Sequence, residues 1–184
     1  MKQYDFLFLS VLFSVPGVII YALRQDLRTV IIKIIPFSWP FAFTEFLFYP
    51  SYWEPHFLFD LGRKIGFGIE DFIFVSGLAA FTTTAYSFVS GRRYVALGQN
   101  RIAGAMLRCA GPFLATFILL VLALFFAVPV IYASCAAMLA VTGGMLVVRR
   151  DLVVPGLSGG MISLTIYYIL CGVCELVMPG LFKT

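Results

Sequence analysis

The chain has 184 residues, of which 61% are hydrophobic and 12% charged, with a mean hydropathy of +0.99. A soluble domain is about half apolar and a quarter charged, so this sequence carries too few charges to cover a water-facing surface. That excludes a soluble globular enzyme or nucleic-acid binder; the net charge of +4 is better read as orientation in a bilayer, because the basic residues lie in short connections between apolar runs.

In chain order, six apolar runs have helical, membrane-spanning length, or five if the fourth and fifth, separated only around Pro129, form one broken segment. They cover about Phe6–Leu23, Val30–Tyr49, Ile65–Val89, Ala103–Phe126, Val130–Val148 and Leu152–Pro179. A spanning helix needs about 20 residues, and unpaired strand edges are too costly in lipid, so the fold class expected is all-α: one polytopic transmembrane bundle over residues 1–184. The first run follows Lys2 and carries Asp5. It lacks a cleavage site and reads as a first span rather than a signal peptide. Gly143 and Gly144, and the small-xxx-small pair Gly156 and Gly160, are expected to let helices approach closely.

Orientation follows from Lys and Arg. Arg24, Arg28, Lys33, Arg92, Arg93, Arg101, Arg108, Arg149 and Arg150 fall on one side, nine in all; Lys2, Arg63, Lys64 and Lys183 fall on the other. The side with nine is expected to be cytoplasmic, with both termini outside.

Against this background the acids stand out. The stretch KIGFGIEDFIFVSGL places Glu70 and Asp71 side by side in an apolar, aromatic run. Glu45 lies about four residues before the outer end of the second span, Glu175 about four before that of the sixth, and Asp5 opens the first. At 1.5 Å per residue the acids of spans two, three and six should share a layer roughly 6–10 Å below one interface. Ionisable groups inside a span are costly and point to function or internal pairing. Two carboxyls in a dry pocket resist ionising together, so the pair should hold one proton between them near neutral pH. One member could then donate while its neighbour stays anionic, a pattern suited to acid–base work on an apolar substrate. Phe67, Phe72, Phe74, Tyr49, Tyr52 and Trp53 surround this layer; their ring faces can stabilise a cation, and equally form an interfacial belt.

Metal and redox chemistry find little footing. Cys171 and Cys174 form a CxxC inside an apolar run, and the single histidine, His56, is distant in sequence. Gly66-Phe67-Gly68 lacks the third glycine and the strand–turn–helix setting of a dinucleotide fingerprint.

The succession YDFLFL, RQDLR, FTEFLF, SYWEPHFLFDLGRKIG and GIEDFIF resembles the integral-membrane lycopene cyclase domain, whose members are heterodimeric subunits in bacteria, fused modules in archaea and domains of bifunctional fungal enzymes. The likeness covers roughly the first 90 residues; residues 91–184 look like the start of a second module, with Arg149-Arg150-Asp151 echoing RQDLR and no second acidic motif before Thr184. The family motif, Pro-hydrophobic-Glu-Glu/Asp with a following aromatic, corresponds to Gly68-Ile69-Glu70-Asp71 with Phe74, a glycine standing in for proline. The resemblance implies Glu70, Asp71 and Glu45 as catalytic residues. Phe67, Phe74, Trp53 and Tyr49 would line the substrate. It also implies a redox-neutral cyclisation of an acyclic lycopene end group to a β-ionone ring, no metal, and none of the flavin or NADPH that unrelated soluble-type cyclases use. The expected partners are an apolar polyene, the lipid bilayer, and a second cyclase subunit or second copy, with no nucleic acid; the expected location is a prokaryotic plasma membrane. Two other readings stay open: a non-catalytic or partner-dependent membrane subunit of a carotenoid pathway, and a small proton-coupled carrier.

Overall fold

The computed structural model describes residues 4–49, 52, 55–94, 111, 114–119, 121–122, 125–126 and 128–179. These residues form helices and turns and no strand. Helix α1 covers Asp5–Leu23, α2 Gln25–Ala42, α3 Glu45–Phe48, α4 Leu61–Ile65, α5 Ile69–Ser90, α6 Val130–Val148 and α7 Val153–Val177; short 3-10 turns at Leu58–Asp60 and Arg150–Leu152 precede α4 and α7. Five helical segments, Asp5–Leu23, Gln25–Phe48, Ile69–Ser90, Val130–Val148 and Arg150–Val177, are long and apolar enough to cross a membrane. The all-α expectation therefore holds for the described residues. Most of the run expected at 103–126 lies outside them, although 114–119 is helical.

The chain divides into two compact units, one of Met1–Tyr94 with Gly156–Thr184 and one of Val95–Pro155. In the first, α1 and α5 run parallel and in close contact. Ser14 on α1 faces Ile73 and Gly77 on α5, and Gly17 faces Ala80 one turn further on. Small residues permit this approach where lipid offers no hydrophobic drive for helices to associate. The Ser14 hydroxyl donates across the seam to the Ile73 carbonyl at 3.2 Å and also to its own helix at Ser10 O, 3.0 Å. Ser14→Ala deletes this hydroxyl and should cost about 0.6 kcal/mol, the usual worth of such a bond between membrane helices; a detergent unfolding titration measures it.

Helix α2 runs antiparallel to α5: Trp39 Nε1 donates to Ser76 Oγ at 3.2 Å, and Phe43 packs edge-on against Phe72 and Phe67. The part of α7 in this unit is also antiparallel to α1, with Phe13 on Tyr167 at 5.0 Å between ring centres. Two apolar clusters result. Phe6, Leu9, Phe13, Phe57, Leu170 and Cys174 fill the end where α1 and α5 begin. Ile20, Leu27, Ile31, Ala80 and Phe81 fill the end where they finish.

Three sequence expectations are corrected. The second span starts at Gln25, not Val30, and its helix stops at Ala42 before α3 restarts at Glu45. Pro36 and Pro40 remove two donors from the α2 ladder, and at its end the Thr44 hydroxyl turns back to Phe41 O at 2.6 Å. The third span begins at Ile69, not Ile65, because Gly66 is left-handed at φ +82° and Gly68 is extended. Finally, Gly143, Gly144 and Gly160 do not mediate close helix contact among the described residues: a Cβ at any of them would meet nothing within 4 Å.

The α1–α2 elbow is a single residue, Arg24. Its extended backbone breaks the helix, and its guanidinium grips Asp26 through two hydrogen bonds of 2.9 Å. The same guanidinium donates to Ser87 O and Phe88 O, carbonyls left open where α5 ends, and to Arg92 O just beyond it. In the second unit Arg149 repeats the arrangement on Asp151, at 2.9 and 2.7 Å, with a closely similar backbone. In both elbows the paired aspartate raises the arginine pKa above its ordinary value through these hydrogen bonds.

Candidate acidic site

The parallel pairing of α1 with α5, and the antiparallel pairing of α2 and α7 with them, carries Asp5, Glu45, Glu70, Asp71 and Glu175 to one end of the first unit. Glu70 and Asp71 are the most deeply placed, at 0% and 4% exposure; Asp5 is also buried, while Glu45 and Glu175 are half-buried. The two central acids occupy the first turn of α5 rather than a position several residues into a helix, since α5 starts late. The positive end of the helix dipole favours anions there.

Each carboxyl is held by a different backbone amide. Gly68 N–H donates to Asp71 Oδ2 at 2.7 Å, which closes the helix start and satisfies an amide that α5 itself leaves unpaired. Leu58 N–H donates to Glu70 Oε1 at 2.6 Å, fastening the 55–60 loop to the helix. The other oxygen of Glu70, Oε2, is buried with no hydrogen-bond partner among the described residues. The side chains of Glu70 and Asp71 leave the helix about 100° apart and no hydrogen bond joins them, yet both are withdrawn from water.

Phe57 packs beside Glu70, both lying against Gly68. It is buried, packs edge-on to Phe6 at 5.2 Å and to Tyr49 at 5.8 Å, and lies between two glycines. A Cβ on Gly62 or on Gly68 would strike the Phe57 ring, and one on Gly68 would also come within 2.5 Å of Glu70 Oε2. Glycine at position 68 is therefore what admits both the ring and the carboxyl; proline would fill that space. The turn that aims Leu58 N–H at Glu70 is strained: Phe59 and Asp60 are consecutive non-glycine residues at φ +58° and +57°. Lys64 Nζ donates to Phe59 O at 3.3 Å and helps to hold it.

The aromatic residues expected to line a substrate separate into two groups. Tyr49 and Phe74 pack against the cluster that contains Phe57, Phe74 lying 5.2 Å from Phe13. Phe67 belongs instead with Phe43 and Phe72, at 5.1 and 6.2 Å. Trp53 lies outside the described residues. Glu45 opens α3. Sequence reasoning passed over Phe57, Gly62 and the Leu58 amide. The segment PHFLFDLG held a signal, because an aromatic flanked by proline in a short loop is a plausible plug, whereas a backbone amide leaves no trace in residue identity. Among the described residues no group of three or more His, Cys, Asp or Glu side chains is placed to hold a metal ion.

Comparison of the chain with protein-family models, with curated proteins and with solved structures returns no match. The molecule is thus defined by its own features: an all-helical chain with five segments able to cross a membrane and a buried acidic end in its first unit.

Proposed function

We propose that this chain is a membrane-embedded isomerase of the lycopene cyclase type, acting on the acyclic end of an apolar polyene. One observation carries the reading: a glutamate withdrawn completely from solvent, one oxygen fixed by an amide and the other with no partner among the described residues, beside Phe57 and its aromatic neighbours. Burial of a carboxyl that does no work costs several kcal/mol and seldom persists in an apolar interior.

In this mechanism Glu70 gives a proton from Oε2 to the terminal double bond of the end group. The resulting tertiary cation is attacked by an internal double bond, so that a carbon–carbon bond closes a six-membered ring and the charge moves to a ring carbon. Loss of a proton from the adjacent carbon to a carboxylate restores a double bond and leaves a β-ionone ring. No electrons are gained or lost and the product is an isomer of the substrate. Asp71, at the positive end of α5, balances the cation or accepts the final proton, and Glu45 is the third acid available. Phe57, Tyr49 and Phe74 present ring faces to the cationic stage and exclude water that would quench it. The setting proposed is a prokaryotic plasma membrane with both termini outside.

A second reading has its own support. Both carboxylates engage backbone amides, as structural acids do, so the chain would be a non-catalytic subunit that stabilises a carotenoid-pathway partner. A proton-coupled carrier is less well served, since the five acids named gather at one end rather than forming a relay. Expression in a lycopene-accumulating bacterium separates these readings. Conversion of lycopene to γ- or β-carotene is expected; conversion only with a co-expressed second subunit supports the partner-dependent form; unchanged lycopene under both conditions sinks the cyclase.

A further inference from the structure

The end of the first unit opposite the acids combines a groove with a surplus of positive charge. Pro16 and Ile20 of α1, Ala85 and Phe88 of α5, and Ile162 and Ile166 of α7 line a groove of about 200 Å³ whose walls are apolar throughout. On α5 it reaches Val89, one residue before the helix ends, and on α1 Ile20, three residues before its end, and there the arginines gather. Arg24 is spent: Asp26 neutralises it and three carbonyls take its remaining protons. Its bond to Arg92 O, at 3.1 Å, fixes the backbone of the segment that follows α5. The Arg92 side chain lies over the Tyr86 ring at 5.7 Å, so its charge is drawn toward the groove side of α5, where Gly159 of α7 also faces Tyr86. Arg93 is exposed beside it, and Arg28 lies over Tyr21 at 5.1 Å, one residue beyond the groove-lining Ile20. Arg92 and Arg93 thus stand exposed beyond the α5 end of a hydrocarbon-lined slot, Asp26 being paired with Arg24 and also attracting Arg93, while Arg28 is held by Tyr21 O and Ala22 O of α1.

We propose that this end binds an anionic phospholipid, with one acyl chain in the groove and the phosphate against Arg92 and Arg93. The charge pattern selects the occupant. A zwitterionic lipid would bring its own cation into repulsion with these arginines, whereas a net anion relieves the repulsion between them. Basic pockets between spanning helices recognise anionic headgroups in this way, each cation near the surface contributing about fivefold in affinity. The site is remote from Glu70 and does not depend on the cyclase reading.

Native mass spectrometry of the full chain, after incubation with vesicles of equal phosphatidylglycerol and phosphatidylcholine, reads the retained lipid. Phosphatidylglycerol should be retained preferentially. The double variant Arg92→Gln/Arg93→Gln removes exposed charge without touching the core and should weaken retention roughly 25-fold, about fivefold per cation. Ile162→Trp, which fills the groove with the arginines intact, should also release the lipid. Equal retention of the two lipids, or wild-type retention of phosphatidylglycerol by the double variant, overturns the proposal.

Discussion

Replacing Glu70 by glutamine should leave lycopene uncyclised in cells that convert it with the unmodified chain, a fall in rate of about 10²–10⁴-fold, the range over which positioned proton transfer acts. The substitution is chosen for what it preserves. Glutamine has the shape of glutamate, and its carbonyl oxygen still accepts the Leu58 N–H that holds the 55–60 loop. Its amide nitrogen then takes the place of Oε2, beside Phe57 and Gly68, and has no proton acidic enough to give to an alkene. Glu70→Ala removes both the acid and the loop tie and so cannot separate them. If Glu70 only fastens the loop, Glu70→Gln should behave as wild type in pigment analysis while Glu70→Ala fails. That pattern would move the assignment to the structural subunit.

The largest loss of stability should follow Gly77→Leu. An added Cβ there would lie 2.5 Å from Ser14 Oγ, 2.6 Å from Ser14 Cα and 2.9 Å from Ser14 N. Two of these atoms are backbone, so no rotamer change relieves the clash and α1 and α5 must part. With them would go the Ser14–Ile73 bond and the tight packing of the flanking Phe13 and Phe81, both almost fully buried. Overpacking of this kind costs about 1–3 kcal/mol, and the whole leucine side chain should place it at the upper end. Gly160→Ala supplies the contrast, since its Cβ would meet nothing within 4 Å, and alanine is the better helix former. Unfolding midpoints in a detergent titration should fall for the first and hold for the second; equal midpoints would contradict the α1–α5 seam.

How far these features could be read from residues alone varies with their physical origin. Helix α6 lies at Val130–Val148 because Pro129 breaks the helical ladder within an apolar stretch and Arg149 ends that stretch, and α1 ends at Leu23 because the charged Arg24 follows it. The acids were legible for the complementary reason: a charge inside an apolar run is costly and so marks either function or internal pairing. What escaped depends on backbone conformation or on partners distant in sequence. Gly66 and Gly68 look like a poor nucleotide fingerprint until their dihedral angles show that they end one helix and begin another. The tie between Glu70 and Leu58 joins a side chain to an amide 12 residues away, and amides are common to nearly every residue. The glycines that matter for packing, Gly17 and Gly77, do not form a motif with one another, because they sit on different helices.

The elbow at Arg24 bears on how the chain is made. With one residue between α1 and α2, no soluble stretch emerges between the first two spans during synthesis, and neither can settle in the bilayer while the other waits outside. The pair is expected to insert as a hairpin, with Asp26 clasping the arginine at the tip that joins the two spans. An insertion of flexible residues after Leu23 would let α1 enter first and by itself, exposing the biogenesis of this protein to errors of topology that its present spacing forbids.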